Sequence, residues 1–391
     1  MSQLANKDMC TGCTACASVC PKQCIEIKKD ENGFAFPEVS DVTSCIKCGA
    51  CERICPILSK KGDYETLPDA YAAYSMDESL RMESSSGGIF SEIAKLIIEK
   101  NGVVYGAAYN QDFEVYHCCV KTIDDLSKLQ GAKYSESYLG NTFSEILERI
   151  QQGQSVLFAG TPCQIAGLKA FVKKDYSNLI CIDFVCHGVP SPMVWKKYVD
   201  YRAIKDADGE MPISINLRSK ISGWSRYQYS NVFQYADGKD YSSVSSQNLF
   251  MKLFVGDYIS RSSCENCAFK GYNRDSDITL GDFWGIWDIA PEMDDNKGTS
   301  VVLVHSESGK ACWNEIDKRI KYKQVNLEQA SRQNQSMLLA SKSKPNRAEV
   351  LSIIREENIE ECNNLFIVKK QFFIKRVINK VKRLTRKEIK R

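Results

Sequence analysis

The sequence predicts a small bacterial-type ferredoxin domain followed by an α/β domain on a mostly parallel sheet with an α+β extension. Three observations predict it. Two matched cysteine cassettes fill the first 56 residues, strand-like and helix-like runs alternate from residue 69, and strand-like runs predominate from about residue 212. The expected divisions are a ferredoxin domain at 1–60, an α/β domain at 69–205, an α+β portion at 206–330 and a helical region with a basic tail at 346–391.

The cassettes come first. "CTGCTACASVCP" and "CIKCGACERICP" both read Cys-x2-Cys-x2-Cys-x3-Cys-Pro, through Cys10, Cys13, Cys16, Cys20 and Pro21, then Cys45, Cys48, Cys51, Cys55 and Pro56. In this spacing three thiolates serve one cubane and the fourth serves the other. The expectation is one [4Fe-4S] cluster on Cys10, Cys13, Cys16 and Cys55, and a second on Cys45, Cys48, Cys51 and Cys20. Small neighbours such as Gly12, Ala15, Gly49 and Ala50 let the backbone crowd the sulfides. Zinc sites favour paired Cys-x2-Cys knuckles, so two complete four-cysteine cassettes argue against zinc. Cys24 falls outside the pattern and reads as a buried thiol.

From residue 69 the elements follow one another. "SKKGDYETLP" is a polar linker, "DAYAAYS" a strand, "SSSGGIFSEIAKLIIEK" an amphipathic helix, and "GVVYGAAY" and "VYHCCVK" strands. Helix "TFSEILERIQQ", strand "SVLFAG", helix "QIAGLKAFVKK", strand "LICIDFV" and helix "SPMVWKKYVDYR" continue the alternation. "ISINLRS", "YQYSNVFQYA", "DITLGDF" and "SVVLVHS" supply the strands of the extension.

Ligands of an open α/β sheet gather beyond the carboxyl ends of its strands. Cys163 follows "SVLFAG" and Cys186 follows "LICIDFV", two consecutive strands expected to be adjacent, and "CENC" supplies Cys264 and Cys267 downstream. The knuckle favours a metal; for Cys163 and Cys186 a metal ligand and a buried thiol are equally good readings. Cys118, Cys119, Cys181, Cys312 and Cys362 lie in apolar or helical runs and read as buried thiols.

Ser85, Ser86, Gly87 and Gly88 before a helix offer backbone N–H groups at its positive end, suited to phosphate, although Ser-Gly-Gly is also an ordinary cap and turn. Lys133 and Tyr134 are candidates to meet an anionic group and a ring face, and read equally as solvated surface. His187, beside Cys186, is a candidate proton donor, with helix capping as the bland alternative. Asp282 and Trp284 are either site-lining or part of a turn with a buried indole. The absence of Gly-x-Gly-x-x-Gly disfavours NAD(P) in a dinucleotide crevice.

The motifs "SSSGGIF", "GAKYSES", "GTPCQIAGLK", "FVCHGVPSP" with Trp195 and Tyr198, and "CENC" with "DITLGDFWG" occur between Ser84 and Gly285. In this order they resemble the deazaflavin-coenzyme (F420) hydrogenase/dehydrogenase beta-subunit family, in which a preceding double-cluster ferredoxin module is a familiar fusion. The resemblance implies FAD or another flavin and a third [4Fe-4S] cluster beside it, with Cys163, Cys186, Cys264 and Cys267 as its ligands. It also implies an oxidoreductase acting on a conjugated small molecule, fed by a ferredoxin-like donor or a partner oxidoreductase subunit. Similar fused chains occur with surface-polysaccharide biosynthesis proteins, so a role there is an expectation too. The rival reading is an electron-transfer subunit serving a separate catalytic partner.

Composition sets the outer bounds. A length of 391 residues, 43% of them hydrophobic, suits two or three globular domains. No apolar run approaches 18 residues and the start lacks a signal-peptide pattern, so neither a membrane span nor a leader is expected. The 18 cysteines follow cluster spacing, which needs free thiolates and points to the cytoplasm. The net charge of +3 divides into +10 on Phe366–Arg391 and −7 on the rest. An acidic body excludes a nucleic-acid-binding core. The tail, with Phe366, Phe373, Ile374, Val377, Val381 and Leu384 at helical spacing among cations, is expected to give peripheral contact with the inner membrane face.

Overall fold

The computed structural model of the chain describes residues 4–59, 66–226 and 228–364. The basic tail lies outside the described residues, as does most of the linker after the second cassette.

The ferredoxin segment contains helix α1 (Ala15–Ser18), hairpin strands β1 (Ile25–Lys29) and β2 (Ala35–Val39), and helix α2 (Ala50–Arg53). The sequence repeat is also a backbone repeat. Thr14 and Gly49 cap the two helices in the left-handed region at φ 61° and 66°, and the residues before the second cysteine of each cassette, Gly12 and Lys47, are left-handed as well. Thr14 and Lys47 therefore carry a conformation that glycine supplies at the matching position of the other cassette, a cost tolerated where ligand loops must turn tightly.

Next come β3 (Asp69–Ser75), α3 (Glu78–Glu83), α4 (Ile89–Glu99), β4 (Val103–Tyr109), β5 (Val115–Val120), α5 (Thr142–Gln151), β6 (Val156–Ala159), α6 (Pro162–Val172), β7 (Leu179–Phe184) and α7 (Pro192–Ala207). The remainder comprises β8 (Ser214–Ser219), β9 (Ser230–Gln234), β10 (Tyr241–Val244), α8 (Leu249–Val255), β11 (Ile278–Asp282), α9 (Ile286–Ile289), β12 (Ser300–Val304), α10 (Glu307–Glu315), β13 (Ile320–Val325), α11 (Leu327–Ser331) and α12 (Arg347–Glu356).

The main sheet runs β13-β3-β12-β11-β7-β6-β4-β5. Its centre, β4, β6, β7 and β11, is parallel, whereas β5 at one edge and β12, β3 and β13 at the other pair antiparallel. The expected parallel character thus holds at the middle and gives way at both flanks. β6 and β7 are neighbours, as their order in sequence predicts. Strands from both 69–205 and 206–330 share this sheet, because β11 and β12 lie between β7 and β3.

Apolar cores cover both faces. Ile89, Ile93 and Ile97 of α4 share one core with Val104, Leu157 and Ile182 of the sheet. Phe143 and Ile146 of α5 and Ile165 and Leu168 of α6 pack on Tyr105, Phe158 and Cys181 in another. The antiparallel sheet β10-β9-β8 and helices α7, α8 and α12 enclose a third, aromatic core of Trp195, Tyr198, Phe233 and Phe250. Trp195 buries its indole there because its N–H finds the Phe113 carbonyl at 2.7 Å. The ferredoxin hairpin docks on the start of α7, where Ser191 Oγ donates to the Asn32 carbonyl at 2.6 Å. A side chain at Gly33 would meet the Met193 nitrogen at 2.9 Å, so the hairpin tip has room only for glycine.

Candidate functional site

Cys10, Cys13, Cys16 and Cys55 face one small cavity, which Thr11, Gly12 and Cys51 also line. Their charges act on one another. Burial pushes the Cys16 thiol up to about 12, and Cys10 and Cys55 add to the push. The set expected from spacing, including Cys55 from the opposite cassette, is thus gathered. Of the second set, Cys20 and Cys45 both act on Cys24, whose thiol stands 3.4 Å from Cys20 and is held up to about 11, first by that hydrogen bond. Cys48 is exposed and Cys51 is buried. Cys24, read from sequence as a buried thiol outside the pattern, is buried directly beside Cys20.

The structure brings Cys163, Cys186, Cys264 and Cys267 together, although they come from three separate parts of the chain. Cys163 occupies the first turn of α6, after a Thr161–Gln164 capping box and a proline at the helix start. Cys186 follows β7, and the turn Ser262–Cys264 presents the knuckle. Burial pushes the Cys163 thiol up to about 12, and the charges of Cys186 and Cys267 raise it further. Cys264 is raised by burial and by Cys186, Cys163 and Cys267. Burial raises Cys186 as well, so Cys163, Cys186 and Cys264 are buried thiols whose ionised state requires added positive charge, which a metal cluster supplies. One backbone donor already aims at sulfur, since the Val189 N–H reaches Cys264 Sγ at 3.4 Å, and Thr161 Oγ1 lies 3.1 Å from Cys163 Sγ. Among the described residues no three His, Cys, Asp or Glu side chains close around a single metal ion. A cubane instead spreads its four thiolates over four irons, which stand apart.

The two cysteine groups meet across α6. A Cβ on Gly167 would stand 2.9 Å from Cys13 Cβ and 3.1 Å from its sulfur, and the charge of Cys163 acts on Cys13.

Beyond Cys186 opens a cavity of about 780 Å³ at the carboxyl ends of the central strands. Its volume suits one large organic ligand. Ser85, Ser86, Gly88, Lys133, Tyr134 and His187 all line it, as do Asp282 and Trp284. Gly87 does not, and corrects the four-residue phosphate-site expectation. Its N–H donates to Ser300 Oγ at 3.0 Å, and a side chain there would strike the Ala73 carbonyl at 2.5 Å, so it is the close-approach point of α4 on the sheet. Gly88 caps α4 at φ 87°, leaving the N-terminus of an 11-residue helix at the cavity wall.

Lys133 is spent on its own loop, with Nζ donating to the carbonyls of Lys128, Gln130 and Gly131 at 3.0, 2.6 and 3.4 Å. Burial lowers its pKa to about 7. Tyr134 packs on Phe254 at 5.2 Å. His187 Nε2 stands 2.8 Å from Asp257 Oδ1, the distance of an ion pair without the alignment of a hydrogen bond, and Nδ1 lies 3.4 Å from Ser336 Oγ. Phe184 and Val255 present apolar surface in the wall at 43% and 57% exposure.

Sequence reasoning missed Arg218. It lines the cavity, pairs with Asp282 at 2.6 Å and lies over the rings of Tyr229 and Trp224 at 3.9 and 4.3 Å. Its only signal was an arginine at the end of a strand-like run.

Comparison with known proteins gives matches in two parts of the chain. Residues 153–330 match the family model for the carboxyl-terminal part of the coenzyme F420 hydrogenase/dehydrogenase beta subunit. Residues 9–58 match the 4Fe-4S dicluster domain, which makes this an iron–sulfur segment. The F subunit of the F(420)H(2) dehydrogenase of Methanosarcina mazei is 26% identical over 206 residues, 48% of this chain and 58% of that protein. Coenzyme F420-dependent sulfite reductase of Methanocaldococcus jannaschii is 27% identical over 175 residues, 43% of this chain and 26% of that protein. NADH-quinone oxidoreductase subunit I 2 of Geobacter metallireducens is 35% identical over 66 residues, 15% of this chain and 50% of that protein. The chain spans less than two thirds of the length of each of these relatives. A solved structure of the F420-reducing [NiFe] hydrogenase complex from Methanosarcina barkeri, derivatised with xenon, is similar at 13% identity and a TM-score of 0.46, over 77% of this chain and 94% of that one.

Proposed function

We propose that this chain, in which a 4Fe-4S dicluster domain precedes a carboxyl-terminal domain of the coenzyme F420 hydrogenase/dehydrogenase beta-subunit type, is a cytoplasmic iron–sulfur flavoprotein oxidoreductase. It takes electrons from a ferredoxin-like donor and delivers them to a small organic substrate, with surface-polysaccharide biosynthesis as the setting. The observation that carries this reading is the convergence of Cys163, Cys186, Cys264 and Cys267 between Cys13 and the large cavity. Iron–sulfur clusters exchange single electrons and a flavin exchanges one or two, which is the chemistry these groups supply when bound.

The chain's own residues do the rest. Cys45, Cys48, Cys51 and Cys20 form the outer ligand set, with Cys48 exposed to a donor. Cys10, Cys13, Cys16 and Cys55 form the next, against α6. Ser85, Ser86 and Gly88 turn the positive end of α4 toward phosphate. Phe184, Val255 and Trp284 exclude water from an apolar ring, and Lys133 and Tyr134 stiffen the opposite wall. His187, whose Nε2 lies 2.8 Å from Asp257 Oδ1, donates a proton to the substrate as it is reduced.

A second reading has support of its own, because two of the curated relatives are named as subunits. Here the chain passes electrons to a partner oxidoreductase subunit and has no substrate of its own. Anaerobic purification with iron, sulfide and flavin counts tests the cofactor assignment: about twelve irons and one flavin per chain are expected, at four irons per cubane. Eight irons would remove the third cluster. Turnover of a low-molecular-weight acceptor by the purified chain alone favours the enzyme, and its absence favours the electron-transfer role.

A further inference from the structure

We infer that the buried Arg261–Glu136 pair is the electrostatic link between the cluster on Cys10, Cys13, Cys16 and Cys55 and the one on Cys163, Cys186, Cys264 and Cys267, and that its two charges tune the reduction potentials of both. The inference rests on the ligand assignment proposed above.

Arg261 is 1% exposed and Glu136 9%. A guanidinium so deeply buried is stable only if its N–H groups are used. Nε donates to the Cys10 carbonyl at 2.8 Å, Nη1 to Glu136 Oε2 at 2.6 Å and Nη2 to the Ala35 carbonyl at 2.9 Å. The group also lies over the Phe36 ring at 4.1 Å, and the other Glu136 oxygen accepts from the Ala35 N–H at 2.7 Å. The side chain of Arg261 is therefore built into the backbone of the first cassette. A side chain at Gly12, between Cys10 and Cys13, would already approach Arg261 Nη1 to 3.1 Å.

Its backbone belongs to the other site. Arg261 caps the turn Ser262–Cys264, and the Cys264 N–H donates to its carbonyl at 3.0 Å. The Arg261 N–H donates to the Val189 carbonyl at 2.8 Å, while the Val189 N–H points at Cys264 Sγ. One residue thus touches the peptide frame of both ligand sets, and its charge reaches the thiols of Cys10, Cys163 and Cys264.

The consequence follows from Coulomb's law in a medium that screens poorly. Reduction adds one negative charge to a buried cluster. A fixed cation nearby lowers the cost and raises the potential of both clusters, and a fixed carboxylate opposes it. Glu136 keeps the pair neutral overall, so the potential reflects which partner stands nearer each cluster. A purely structural role, clamping the ferredoxin segment to the sheet, makes a different demand: removal of either partner loosens the same clamp and shifts the potentials in the same direction.

The test uses the full-length chain purified anaerobically with its clusters and titrated in a redox cell monitored by EPR. Glu136→Gln, nearly isosteric, should move both neighbouring clusters to more positive potential. Arg261→Gln should move them to more negative potential. Each shift should correspond to a change of tenfold or more in the ratio of reduced to oxidised cluster, about 59 mV for a one-electron couple. The cluster on Cys45, Cys48, Cys51 and Cys20 serves as the internal reference and should move least. Shifts of one sign in both variants, or unmoved potentials in Glu136→Gln with iron retained, would overturn the inference. If Arg261→Gln loses iron, the Glu136→Gln titration decides alone by the same criterion. A wild-type chain with eight irons would instead break the ligand assignment, a failure distinct from three clusters whose potentials ignore the pair.

Discussion

Gly167 marks the point where α6 and the first cassette touch, and its missing side chain is what lets Cys13 lie against the helix. Overpacking a tight contact typically costs about 1–3 kcal/mol. Gly167→Val should therefore lower the melting temperature of the anaerobic protein and reduce its iron content below that of wild type; a variant with full iron and an unchanged melt would show that the contact is not needed. How far single residues were legible depended on whether their partners were local. The cassette cysteines could be assigned because ligand loops fix their spacing within a few residues. The run Ser84–Gly88 could not be divided from sequence, because only the approach to Ala73 and Ser300 separates the packing role of Gly87 from the cavity position of Gly88. Lys133 looked available for an anion, yet three carbonyls of its own loop hold it. Arg261 gave no signal at all, since Cys10 and Glu136 lie 251 and 125 residues away in the chain.

At the scale of elements, most strands and helices from Asp69–Ser75 through Ser300–Val304 were readable in order because they carry their own apolar period, whereas the short α3, β10, α8 and α9 were not read. The placement of β11 and β12 between β7 and β3 was not readable, since Ile278 pairs with Ile182 and Val302 with Tyr71, far apart in the chain, and such pairing leaves no local trace. That insertion matters to the site. It carries the chain after the Cys264 knuckle into the strand beside β7, which ends just before Cys186. If α6, the end of β7 and the knuckle build one ligand set, Cys163→Ser and Cys264→Ser should each abolish the same cubane. The double variant should then lose no more than either single one, because a shared site can be destroyed only once. Iron counts and low-temperature EPR of the three proteins check this. Stepwise loss through single to double variant would mean that the two cysteines serve different sites. Thr161→Ala, which removes the α6 cap, should cost about 1 kcal/mol in thermal stability, measured against wild type with equal iron content.

At the scale of the whole molecule the charge is unevenly placed. Among the described residues no helix is long and apolar enough to cross a membrane. The segment expected to make membrane contact, Phe366–Arg391, lies outside the described residues. Its composition is seven Lys, four Arg and one Glu, with apolar residues at three- to four-residue steps. Two fates compete for such a segment. The remainder of the chain carries −7 and offers an acidic body to dock against. Against docking, eleven cations on 26 residues exceed what an intramolecular contact uses, and each contributes about 1 kcal/mol near an anionic leaflet. Electrostatic attachment of this kind weakens as salt shortens the screening length, whereas apolar insertion does not. We predict that the full-length chain pellets with anionic vesicles and not with neutral ones, and is released by salt. A chain ending at Asn364 should remain in the supernatant with both. Equal pelleting of the shortened chain would assign vesicle binding to the body, and no pelleting of either would leave the tail to an intramolecular or partner contact.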